Sequence, residues 1–211
     1  MVYVVAPVEP VPSTGAEGEA APLKLTENEC STIGTELVHA LTRAIMGPAP
    51  EPALWEVDAN LRPEGKDGPL VRTVESYVQY YKRWAENWEF QALLKARPIA
   101  GSAQLGARYA RAIDPFVWES AARESFVESV QAMRARVTDN IPSHQVDRQI
   151  KLGPGGLRDI EFTVQLLQLV HGRTDPAVRT KSTVDSLAAA TTKSCAYWST
   201  ASSCSSYAAP I

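Results

Sequence analysis

Asp58 and Arg62 are the residues whose types and spacing first suggest chemistry. They lie in Leu54-Trp55-Glu56-Val57-Asp58-Ala59-Asn60-Leu61-Arg62-Pro63-Glu64-Gly65-Lys66-Asp67-Gly68. Asp58 can hold a hard divalent cation through oxygen, and the planar fork of Arg62 can bind a phosphate. Leu54, Val57 and Leu61 with Trp55 predict a short strand, and Pro63, Gly65, Asp67 and Gly68 predict the turn that ends it. On local chemistry alone, a surface strand with a solvated Asp and an ordinary turn is the commoner meaning of such a stretch.

Two further stretches carry basic residues near helix-forming sequence. In Trp88-Glu89-Phe90-Gln91-Ala92-Leu93-Leu94-Lys95-Ala96-Arg97, Lys95 falls one turn past Gln91. A lone lysine on a helix is usually solvated, so spacing by itself gives it no phosphate role. In Lys151-Leu152-Gly153-Pro154-Gly155-Gly156-Leu157-Arg158-Asp159-Ile160-Glu161, a glycine-rich turn opens a helix whose first amides could hold an anion. The Gly-Lys-Ser/Thr ending of a phosphate-binding loop is absent, and Asp159 and Glu161 point different ways. An acid placed to suit the helix dipole accounts for much of that pattern.

The elements that must position these residues can be read in order. Met1–Val5 is β-branched and aromatic and predicts a buried strand at the very start, which suggests missing upstream sequence. Residues 6–22 are too rich in Pro and Gly for regular structure. Thr26 and Glu29 form a capping box before a helix striped by Ile33, Leu37, Leu41 and Ile45, and Gly47-Pro48 stops it. A long helix is expected from Thr73 as N-cap to Arg97, with Tyr77, Tyr81 and Trp84 in the core. Helices are then expected over 102–112 and from Asp114 or Pro115 to about Asn140, with Pro115 in a first turn. Arg123, Arg134, Arg136 and Arg148 read as a solvated mixed-charge surface. From about Ala190 periodicity vanishes and no stable structure is expected.

Composition bounds the function classes. The 211 residues suffice for one sizeable core or two small ones, and a net charge of -3 implies no bulk attraction to nucleic acid. No apolar run approaches bilayer length, and Met1–Ala6 lacks a signal peptide's basic region. Three unpaired-looking cysteines favour a reducing, cytoplasmic setting.

Glu56–Gly65, Trp88–Arg97, Pro115-Phe116-Val117 and Ile150–Phe162, in that order, resemble the glutamate–ammonia ligase (glutamine synthetase) adenylyltransferase family, over roughly residues 1–189. The Lys-Leu-Gly-x-Gly-Gly and Pro-Phe-Val wording looks more like that family's N-terminal, adenylyl-removing half. The resemblance implies an α+β fold class: a truncated nucleotidyltransferase domain of the DNA polymerase β type over 1–72, an all-α domain over 73–189 shared with PII uridylyltransferases, and an anomalous tail over 190–211. It also implies Mg²⁺ as cofactor, with two ions roughly 3.5–4 Å apart clamping an in-line phosphoryl displacement. Asp58 matches a catalytic, metal-holding carboxylate, and Arg62 and Lys95 match basic positions that meet phosphate or nucleotide. The implied partners are glutamine synthetase, ATP or ADP, phosphate, and a PII-type signal protein, with no nucleic acid and no membrane.

The implied reaction is phosphorolysis of adenylyl-tyrosine to ADP, adenylylation, or both. One departure weighs against it: the family's Asp-x-Asp pair, expected just before the Met1–Val5 strand, is not in the chain. A catalytically crippled copy is therefore expected. The alternatives are a non-catalytic remnant that binds glutamine synthetase or a PII-type protein, and a misfolding-prone fragment with no function.

Overall fold

The computed structural model describes residues 2–6, 25–47, 53 and 55–191. The expectations for residues 7–22, for Leu54 and for the tail from 192 onward lie outside them. Residues 190 and 191 close a last helix spanning 183–191. Among the described residues the architecture is mostly helical with one two-stranded sheet, which is compatible with the α+β expectation. The chain divides into two compact units, Met1–Ala85 with Arg97–Asp114, and Glu86–Ala96 with Pro115–Ile211.

In the first unit β1 (Tyr3–Val5) pairs in parallel with β2 (Val71–Thr73), Val4 opposite Arg72. Parallel neighbours need a crossover, and α1 (Glu27–Met46) supplies it. The capping box is present as read: Glu29 N donates to Thr26 Oγ1 at 3.3 Å, and Thr26 N donates back to Glu29 at 2.7 Å. Gly47 caps the other end.

The buried face of α1 differs from the expected one. Cys30, Gly34 and Val38 face inward, whereas Ile33, Leu37 (65% exposed) and Leu41 are exposed. The cause is close approach to the sheet. A Cβ on Gly34 would lie 2.7 Å from Val5 Cγ1 and 3.0 Å from Val71 Cγ1. The helix therefore docks by its small residues, one position around from the larger stripe. β1 itself is half-buried rather than fully buried.

The segment expected as one helix from Thr73 to Arg97 is two, α2 (Val74–Arg83) and α3 (Asn87–Leu93). Thr73 caps α2, accepting from Ser76 N at 3.2 Å. Glu89 reaches back to Glu86 N at 3.0 Å, starting a new helix where the old one would have continued. Tyr77 and Tyr81 are core, as expected, but Trp84 sits at the break and is 71% exposed.

Pro115 lies inside α4 (Ala103–Glu119), not at a helix start. Helical backbone on both sides, with Ile113, Val117 and Trp118 buried, outweighs the lost N–H. The break comes later, at Ser125 with φ +50°, before α5 (Phe126–Asp139). In the second unit α6 (Leu157–Gly172) opens from the glycine turn as expected, yet Leu157 and Ile160 are exposed, and Val164, Gln168 and Leu169 carry the burial.

Candidate functional site

The stretch around Asp58 is an irregular loop, with no strand from residue 55 to residue 70. Trp55 and Leu61 are exposed there. Asp58 explains part of this, because its Oδ1 accepts from Asn60 N at 2.8 Å, a side-chain turn that competes with a ladder. Asp58 is itself exposed.

Arg62 braces the loop from within. Its Nη1 donates to Ala59 O at 2.8 Å, its Nη2 to Lys66 O and Gly68 O at 3.2 Å each, and its Nε to Gly68 O at 3.3 Å. Pro63 and Gly68 are buried beneath this knot. A Cβ at Gly68 would meet Pro63 O at 2.2 Å, so the turn requires glycine at that point.

Arg72, on β2 just beyond this turn, carries no local signal in the sequence. Its side chain is 12% exposed and pairs with Glu64, while Nη1 donates to Ser76 Oγ at 3.2 Å. The guanidinium lies 5.6 Å from the centroid of the Tyr80 ring. Nearby, the Tyr77 hydroxyl donates to Tyr3 O at 3.0 Å. Burial pushes the Tyr77 phenol well above its ordinary range, with Tyr109 adding to the rise and the charges of Arg72 and Arg62 opposing it.

Lys95 belongs to the second unit. Its Nζ donates to Lys181 O at 2.9 Å and Thr183 Oγ1 at 2.8 Å, clipping the end of α3 to the start of the helix 183–191. Gln168 ties the neighbouring segment, donating to Val178 O at 2.7 Å and Thr180 O at 2.8 Å.

The amides of the Gly-Pro-Gly-Gly turn do not wait for an anion. Gly155 N donates to Asp159 Oδ2 at 2.6 Å, Leu157 N to Ile150 O at 3.0 Å and Arg158 N to Lys151 O at 2.9 Å. Asp159 in turn pairs with Arg134, whose Nη2 also donates to Leu152 O at 3.1 Å and Gly153 O at 3.3 Å. Arg134 is thus a 13% exposed keystone of the turn rather than the solvated charge expected. Its hydrogen bond to Asp159 holds that carboxyl below the usual carboxylate range, with the Gly155 amide adding to the effect. A groove of about 400 Å³ beside the turn is lined by Val146, Gln149, Ile150, Pro154, Gly155 and Gly156, none of which has a side chain that titrates.

The described residues do not fit a divalent-metal centre. Among them no three His, Cys, Asp or Glu side chains gather as ligands, and Asp58 offers a single carboxylate. No described helix is long and apolar enough to cross a membrane.

The described residues thus form an α+β first unit with an arginine-braced loop and a helical second unit, and comparison with known proteins gives the chain a family. Residues 19–112 match the family model described as Glutamate-ammonia ligase adenylyltransferase. Residues 131–202 match the one described as GlnD PII-uridylyltransferase. The chain is 64% identical over 157 residues to the bifunctional glutamine synthetase adenylyltransferase/adenylyl-removing enzyme of Leifsonia xyli, covering 74% of this chain and 16% of that protein. It is 56% identical over 174 residues to the protein of the same description from Streptomyces coelicolor, covering 82% of this chain and 17% of the relative. The chain belongs to the glutamine synthetase adenylyltransferase family. It spans about one-sixth of the length of these relatives.

Proposed function

We propose that this chain supplies part of a nucleotidyltransferase that controls glutamine synthetase by removing adenylyl groups, adding them, or both. Residues 1–72 would belong to a nucleotidyltransferase domain of the DNA polymerase β type and residues 73–189 to a helical domain, working in the cytoplasm. The observation that carries the reading is 64% identity to a relative named for both activities. The parallel β1–α1–β2 crossover is compatible with such a domain.

In adenylyl removal, a phosphate oxygen attacks the adenylyl phosphorus, the bond to the tyrosine oxygen breaks, and that oxygen takes up a proton as ADP leaves. In adenylylation, the tyrosine oxygen attacks the α-phosphorus of ATP and pyrophosphate leaves. Arg62 and Lys95 are the basic residues proposed to meet phosphate, and Asp58 is proposed to give one oxygen to a Mg²⁺ centre that it does not constitute alone.

The match of residues 131–202 to a PII-uridylyltransferase model favours a second reading, a non-catalytic module that binds glutamine synthetase or a PII-type protein. The deciding assay is ADP formation from adenylylated glutamine synthetase with phosphate and Mg²⁺, run on this chain and on Asp58→Asn. ADP that disappears in the variant supports the enzyme reading. Silence from both, with binding retained, leaves the second.

A further inference from the structure

The first unit holds an arginine, Arg72, whose side chain is largely buried and whose recognition edge is half used. In an arginine fork, Nε–H and one Nη2–H form a side-on edge that grips two oxygens of a carboxylate or phosphate at once. Arg72 offers that edge, and Glu64 touches it with one oxygen, at Nη2. Nε, shielded from solvent, has no hydrogen-bond partner among the described residues. A buried donor left unmet is unfavourable, so the edge is set for a ligand with a second oxygen.

Glu64 has the features of a displaceable occupant. Its side chain is 53% exposed, against 12% for Arg72. Its backbone is left-handed, φ 63°, a conformation that non-glycine residues seldom adopt. Release of its carboxylate would leave the turn tied by Arg62 and by the contact of Glu64 N with Tyr80 Oη at 3.4 Å. Arg72, by contrast, is fixed from three sides by its strand, by Ser76 Oγ and by the Tyr80 ring.

The geometry points to Arg72 as an oxyanion site of the phosphate class, held in reserve by Glu64, which a phosphate group displaces to engage Nε and Nη2 together. This stands on the first unit alone and does not depend on the chain's role toward glutamine synthetase.

The test titrates inorganic phosphate into the whole chain at fixed ionic strength and follows the Arg72 Nε–H resonance, with chloride as control. Saturable movement is expected in the unaltered chain, and Glu64→Gln should bind phosphate about fivefold more tightly, the scale of one partly exposed ion pair. Arg72→Lys, which keeps the charge and loses the fork, should abolish binding. An affinity unchanged by Glu64→Gln, a response equal to that of chloride, or full binding by a folded Arg72→Lys variant would each overturn the proposal. If Arg72→Lys does not fold, the Glu64→Gln comparison decides. A parallel titration with ADP identifies the source: tighter binding than phosphate assigns a nucleotide's terminal phosphate, and equal or weaker binding assigns the free ion.

Discussion

Arg134 and Asp159 close the glycine turn through four partners: each other, the Gly155 amide and the carbonyls of Leu152 and Gly153. Asp159→Ala removes a charge-assisted acceptor, so amide exchange at Gly155 should quicken by roughly tenfold or more, the equivalent of about 1.5 kcal/mol. The pH dependence has a definite sign. The folded carboxyl titrates below its unfolded value, so its contribution is complete above about pH 4 and fades as pH falls through the lowered value. Gly155 protection should therefore drop on acidification in the native chain and stay level in Asp159→Ala; equal pH profiles would show that the carboxylate does not hold the turn. Asp159 as a first-turn acid was legible in the sequence, because Gly-Pro-Gly-Gly before an apolar run marks a helix start. Arg134 was not, since a partner 25 residues away leaves no local signature. The same holds for Arg72, whose environment is made by strand pairing and by Tyr80.

At the scale of elements, capping chemistry was read well and buried faces were not. The Thr26–Glu29 box places the start of α1 because both partners lie within one turn. Its inward face depends on what it meets, and a two-stranded sheet bearing Val5 and Val71 admits Gly34 rather than Leu37. Gly34→Ala tests this. Alanine raises intrinsic helix propensity, yet its methyl would press on two valine side chains at 3.0 Å or less. A net loss of about 1–2 kcal/mol is expected, seen as a lower urea midpoint for the first unit. Leu37→Ala, at an exposed position, should change the stability by no more than about 0.5 kcal/mol and so barely move that midpoint. Equal effects at the two positions would mean that Gly34 is not the docking face. The α2–α3 break has a similar lesson: Glu86-Asn87-Trp88-Glu89 carries a start signal, but the aromatic periodicity running across it hides the break.

For the whole molecule, two family models meet in one chain, the first over residues 19–112 and the second over residues 131–202. A catalytic role and a binding role therefore make separable predictions. If partner recognition is independent of the loop at Asp58, then Asp58→Asn should leave affinity for immobilised glutamine synthetase within about twofold, as expected for an exposed substitution. Asparagine keeps the oxygen that accepts from Asn60 N, so the loop itself should persist. Arg134→Met should weaken binding if the second unit's turn presents the recognition surface, because the variant leaves Asp159 without its ion pair and two carbonyls without their donor. Surface plasmon resonance on the three chains separates the cases. Binding lost in Asp58→Asn and kept in Arg134→Met would place recognition at the loop and reverse the assignment. Binding kept in the first and lost in the second would tie recognition to the unit that contains the residues matching the PII-uridylyltransferase model, 131–202.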